Sequence, residues 1–151
     1  MTKRTAVVIT ASNRASRGEY ADLSGAALAK GLAVLGYEVT GPFVVADEIN
    51  LISEQLSVAL ANKTRLIVTT GGTGVSPTDV TPEATAPFIE KLIPGFAEAL
   101  RAYSREQVPT SDLTRGHAGT HAKTLIINLP GSKGAVADLS LIHISEPTRP
   151  Y

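Results

Sequence analysis

The chain has 151 residues, 43% of them hydrophobic and 19% charged, and its fourteen Lys and Arg balance fourteen Asp and Glu to a formal net charge of zero. That length suits one domain with its own core, and the charge balance excludes a long-range field that would draw the protein onto nucleic acid or an anionic membrane. The absence of Cys excludes disulfides, thiolate chemistry and sulfur-ligated metal.

The basic start Met1-Thr2-Lys3-Arg4 leads into Ala6-Val7-Val8-Ile9, but Ser12, Asn13 and Arg14 break the run too early for a secretory signal. Residues 5–10, β-branched and apolar on consecutive positions, predict a parallel strand covered on both faces. After a polar segment, Leu28, Leu32 and Leu35 recur at helical spacing from about Asp22 or Ser24, and Gly36 stands where that helix ends. Residues 37–40 and 43–45, parted by Gly41-Pro42, predict one bent strand or two short ones leading to Asp47. A second helix from about Asn50 carries Ile52, Leu56, Ala59 and Leu60 on one side, and Asn62-Lys63 closes it.

Residues 65–70 form the clearest central strand. A glycine loop, Gly71-Gly72-Thr73-Gly74, follows it at once. Thr81-Pro82-Glu83 predicts the start of a helix whose inward stripe is Phe88, Ile89 and Leu92. Pro94-Gly95 turns the chain into another helix bearing Phe96, Leu100 and Tyr103. Residues 111–119 have weak periodicity and read as turns or a short helix. Residues 123–128 return as a strand ending at Leu129-Pro130-Gly131-Ser132. Alternating strands and helices predict a three-layer α/β/α sandwich around a mostly parallel sheet, with its ligand beyond the carboxyl ends of the strands.

Ser12, Asp47, the glycine loop and residues 128–132 all follow predicted strands, so the topology gathers them on one rim. Glycines there let backbone amides approach an anion without a formal charge. The pattern is neither a Walker A motif nor a dinucleotide fingerprint. Asp79 and Asp47 each precede a helix and would cap it if they acted alone. Converging on a glycine-lined anion site, they suit Mg²⁺, which prefers hard oxygens beside substrate phosphates. Gly71, Gly72, Thr73, Gly74 and Ser76 are the candidate phosphate contacts, with Ser12, Asn128, Pro130, Gly131 and Ser132 as further ligand contacts and Lys133 as an added point charge. Arg14 and Arg17 stand as anion contacts or solvated charges. His117 and His121 are four apart without a convincing helix between them, so their spacing establishes no metal face.

The run from Thr69 through Gly71-Gly72-Thr73-Gly74-Val75-Ser76-Pro77-Thr78-Asp79-Val80-Thr81-Pro82-Glu83 to Thr85, then Pro94-Gly95-Phe96 and Asn128-Leu129-Pro130-Gly131-Ser132, resembles the molybdenum-cofactor biosynthesis domain family, most closely its adenylyltransferase branch. The resemblance spans about residues 3–138. It implies transfer of AMP from ATP to the phosphate of molybdopterin, with Asp47 and Asp79 as catalytic residues and Mg²⁺ ligands. The alternative is a non-catalytic molybdopterin-binding homologue in the same pathway. No stretch approaches the roughly 18–20 apolar residues that span a bilayer, which makes a cytoplasmic location the default expectation; by resemblance the protein is a homotrimer or larger homo-oligomer, with a molybdenum insertase as a possible partner. Residues 139–151, Leu139-Ser140-Leu141-Ile142-His143-Ile144-Ser145-Glu146-Pro147-Thr148-Arg149-Pro150-Tyr151, look like an in-frame translation of a transposase-type sequencing adapter replacing a closing helix. The expected domain is therefore residues 1–138.

Overall fold

Runs of consecutive aliphatic residues become the central strands, and the stretches between them become the covering helices. The computed structural model describes residues 3–106 and 108–131. Along the chain the elements are β1 (Thr5–Ala11), α1 (Asn13–Ser16), α2 (Leu23–Val34), β2 (Glu38–Val45), α3 (Ile49–Ala61) and β3 (Leu66–Thr70). They continue with α4 (Thr81–Thr85), β4 (Lys91–Leu92), α5 (Pro94–Ser104), β5 (Ala118–His121) and β6 (Thr124–Leu129). Ser132, Lys133 and the segment 139–151 lie outside the described residues.

One sheet of six strands runs in the order β2-β1-β3-β6-β5-β4. The first four strands are parallel, and β5 and β4 add an antiparallel edge. Side chains alternate across the strands, and the alternation sorts the core into two layers. Val8, Val68 and Ile127 face Leu28 and Leu32 of α2 and Phe96 and Leu100 of α5. Val7, Ile9, Ile67 and Ile126 face Ile52, Leu56 and Ala59 of α3 and Ala84 of α4. Leu28, Leu32, Ile52 and Leu56 are fully buried, each contributing about 1.5–3 kcal/mol relative to exposure. The expected α/β/α sandwich with a mostly parallel sheet is the fold observed. Among the described residues no helix is long and apolar enough to cross a membrane.

Of the two forms expected for the bent region, the structure has the single strand, β2, whose register against β1 shifts between Val7 and Ile9, opposite Gly41-Pro42. Other local expectations need correction. The helix from Thr81 ends at Thr85 and gives way to a 3₁₀ turn at Ala86–Phe88, because Pro87 has no N–H to continue an α-helical ladder. Leu92 therefore lies exposed on the edge strand β4 instead of in an inward helical stripe. Tyr103 on α5 is likewise half-exposed. Part of the weakly periodic 111–119 stretch belongs to β5, which forms a hairpin with β6 around Ala122-Lys123; Ala122 holds a φ of 51°.

Candidate functional site

Because β2, β1, β3 and β6 run parallel, their carboxyl ends open on the same rim. There they surround a cavity of about 1120 Å³. Ser12, Gly71 and Pro130 are the first residues beyond β1, β3 and β6, and all three line it. Asp47, two residues beyond β2, lines it as well. Gly72, Thr73, Gly74, Asp79 and Gly131 complete the predicted residues that reach the cavity wall.

The loop after β3 needs glycine for two separate reasons. Gly71 and Gly72 have φ of 91° and 68°, a region that side-chain-bearing residues avoid. Close neighbours also occupy the space of a β-carbon: the Ala11 carbonyl oxygen at Gly71, and Thr81 Oγ1 at Gly72. A β-carbon on Gly72 would lie 3.1 Å from Asp47 Oδ1, and one on Gly74 would lie 2.8 Å from Asp79 Oδ2. The bare α-carbons thus admit both carboxylates against the loop. Among the described residues, no protein acceptor takes the N–H groups of Gly72, Thr73, Gly74 or Val75. Four successive free amides in a cavity wall make an uncharged anion-binding surface.

Asp47 is held by a reciprocal pair with Asn13. Asn13 N–H donates to Asp47 Oδ2 at 3.0 Å, and Asp47 N–H donates to Asn13 Oδ1 at 2.8 Å. The other oxygen, Oδ1, is buried and accepts no hydrogen bond from the described residues. Burial pushes the Asp47 carboxyl above its ordinary range, the Asn13 N–H bond opposes this, and repulsion from Asp79 adds to it. A desolvated carboxylate oxygen beside a second carboxylate suits a cation. Asp79 is oriented from within its own loop, since Ser76 N–H donates to its Oδ2 at 3.0 Å and its N–H donates to Ser76 O at 2.9 Å. Among the described residues no three His, Cys, Asp or Glu side chains gather around one point. Asp47 and Asp79 are the cavity-lining carboxylates that lie against the glycine loop.

Two expected ligand contacts do not line the cavity. Ser76 lies on the outer part of the loop, its hydroxyl 3.2 Å from Thr78 Oγ1, and serves to orient Asp79. Asn128 is 2% exposed. Its Nδ2 donates to Thr69 Oγ1 and Thr85 Oγ1, and its Oδ1 accepts His117 N–H at 2.9 Å. It binds β6 to β3, α4 and the segment before β5. Arg14 and Arg17 both pair with Glu19 outside the cavity. His121 Nδ1 lies 2.8 Å from Phe88 O.

Other contributors carried no motif. Further lining comes from α5 and the 3₁₀ turn Pro109–Leu113, where Tyr103, Val108 and Leu113 add apolar surface. Arg115, immediately after that lining, donates to the Gly74 and Asp79 carbonyls and to Glu83. Hydrogen bonding to Arg115 is the main influence holding the Glu83 carboxyl below its ordinary range.

A family model described as "Probable molybdopterin binding domain" matches residues 7–148. The molybdopterin adenylyltransferase of Helicobacter pylori strain J99 is 43% identical over 138 residues, covering 87% of this chain and 76% of the relative. Molybdenum cofactor biosynthesis protein B of Escherichia coli K12 is 37% identical over 130 residues, covering 85% of this chain and 75% of the relative. Among solved structures, the molybdopterin biosynthesis Mog protein from Mycobacterium ulcerans superposes with a TM-score of 0.87 at 44% identity, covering 93% of each chain.

Proposed function

The chain belongs to the molybdopterin-binding domain family, and from that premise we propose that it transfers AMP from ATP to the phosphate of molybdopterin, releasing pyrophosphate. Its general role is in molybdenum cofactor biosynthesis. One observation carries the finer reading: two carboxylates, one with a buried unpartnered oxygen, lie against glycines of a loop with four free amides in the same cavity wall. A purely apolar ligand site would leave both the amides and the carboxylates uncompensated. A phosphate-bearing ligand together with a cation satisfies both.

In this mechanism a molybdopterin phosphate oxygen attacks the α-phosphorus of ATP; a new phosphorus–oxygen bond forms as the bond to the bridging oxygen breaks, and pyrophosphate leaves. The Gly72–Val75 amides hold phosphate oxygens and stabilise charge that builds during displacement. Asn13 fixes the rotamer of Asp47, and Ser76 fixes that of Asp79, so neither carboxylate reorganises when substrate enters. Asp47 and Asp79 would hold Mg²⁺, which supplies neutralisation of the phosphate charge. The exposed side chains of Tyr103, Val108 and Leu113 offer the ligand an apolar surface on one side of the site. A homotrimer or larger homo-oligomer, and an insertase as consumer of the product, belong to the same reading.

The test incubates the purified chain with molybdopterin, ATP and Mg²⁺ and follows adenylyl-molybdopterin and pyrophosphate together. Asp47→Asn and Asp79→Asn are each expected to lower turnover by on the order of 100-fold or more, as loss of one preorganised electrostatic group does. Unchanged rates in both variants would overturn their roles. Tight molybdopterin binding by the wild-type chain with no turnover would assign it to the non-catalytic branch.

A further inference from the structure

We propose that Arg115 is a positioning residue for this reaction, clamping the loop that carries Asp79 from behind while its neighbours line the cavity. The proposal rests on the functional reading above and adds to it the device that sets the site's geometry. Gly74 and Asp79 bracket the four-residue excursion Val75-Ser76-Pro77-Thr78. Arg115 Nε donates to Gly74 O at 2.8 Å and Nη2 donates to Asp79 O at 3.0 Å, so one guanidinium closes the neck of that excursion. Glu83, in the first turn of α4, accepts from Nη1 at 2.8 Å and from Nη2 at 3.1 Å. That two-point contact fixes the plane of the guanidinium, a geometry Arg supports and Lys does not.

The backbone extends the clamp. Arg115 N–H donates to Thr73 O at 2.7 Å, and Thr114 Oγ1 donates to Thr73 Oγ1 at 2.8 Å. Thr114 O in turn accepts from Arg101 of α5 at 3.3 Å. Residues 114 and 115 therefore join the glycine loop to α5, which also lines the cavity. Arg115 itself does not line the cavity, so it acts through the residues it holds. Without it, Gly74 and Asp79 lose their common donor. The Ser76 N–H that orients the Asp79 carboxylate sits inside the released excursion.

The test compares wild type with Arg115→Gln, Arg115→Lys and Glu83→Gln, with Lys3→Gln as a control in an exposed surface pair remote from the cavity. Backbone amide exchange is measured across residues 73–79, alongside kcat and KM for the adenylylation. Arg115→Gln is expected to speed exchange of the Ser76 and Asp79 amides, whose acceptors lie within the loop, and to lower kcat by on the order of 100-fold, the effect of misplacing reacting groups by about an ångström. KM for ATP should change far less. Glu83→Gln should shift both readouts in the same direction by a smaller factor, and Arg115→Lys should restore only part of each. Retention of loop protection and kcat in Arg115→Gln would overturn the proposal, as would a loss of kcat with exchange unchanged. If the wild-type chain shows no turnover, the functional reading fails by itself and the exchange comparison still decides whether Arg115 holds the loop.

Discussion

Replacing Asn128 with Ala separates a structural amide from a ligand-binding one. At 2% exposure, the side chain accepts His117 N–H and donates to two threonine hydroxyls. Thr85 Oγ1 already donates to Thr81 O at 2.7 Å, so it keeps that bond when the amide is removed. His117 N–H loses its acceptor, and an unsatisfied donor of this kind costs about 1–3 kcal/mol. The void left by the carboxamide adds a cavity penalty, bringing the expected loss to roughly 3 kcal/mol. For a domain of this size that corresponds to a fall in Tm of roughly 10 °C. Thermal unfolding measures it, with calorimetric titration of Mg-ATP well below the transition as the second readout. Affinity should stay within about threefold, well under the 1.4 kcal/mol of a tenfold change. An unchanged Tm with a large loss of affinity would refute the reasoning and put the amide on the ligand.

The other two predictions concern the rim. Asp47 has a carboxyl raised by burial, so its contribution to stability is fully present below its ordinary value of 3.8 and is lost as pH rises through the raised one. Asp47→Asn should therefore raise Tm at neutral pH in metal-free buffer, with the gain disappearing toward acid and Mg²⁺ stabilising only the wild type; a lower Tm for the variant at neutral pH would count against the buried-charge argument. Gly71→Ala should destabilise more than Gly18→Ala when the two are compared by urea unfolding. Both have positive φ, which costs a side-chain-bearing residue roughly 1–2 kcal/mol, but only Gly71 would also drive a β-carbon into the Ala11 carbonyl; equal losses would show that the backbone relaxes there freely.

The layers of the fold were legible because one physical rule generated them. Consecutive β-branched residues at β1 and β3 require apolar cover on both faces, and the helical stripes Leu28-Leu32 and Ile52-Leu56 supply it. The antiparallel edge was not legible. β4 has two residues, and β5 is Ala118-Gly119-Thr120-His121, with no apolar alternation and Thr120 as its one β-branched residue. It is a strand because β6 offers it a partner and because Ala122 accepts a positive φ in the turn. Close packing even uses the absence of a side chain at Gly119, where a β-carbon would strike Ile89. Such a strand is specified by its neighbours.

Where the structure places the expected site residues has a sharper cause. Ser12, Gly71 and Pro130 sit just past the ends of their strands and reach the cavity, whereas Asn128 lies inside β6, which continues through Leu129. Reading that strand as ending at residue 128 moved a core amide to the rim. Parity then directs Asn128 to the layer of Ile126 and Thr85. A polar residue near a strand end therefore predicts a ligand contact only when the boundary is known to within a residue, because two positions exchange solvent for core. Arg115 presents the opposite difficulty. Its partners at Gly74, Asp79 and Glu83 are 32 to 41 positions away in the chain, and two of those contacts are to backbone carbonyls. Any residue type at positions 74 and 79 would offer the same carbonyls, so no residue pattern announces the clamp. It becomes visible only when the fold brings the segment before β5 against the back of the loop, and the side chains that set an active loop's shape are for that reason harder to read from sequence than those facing the ligand.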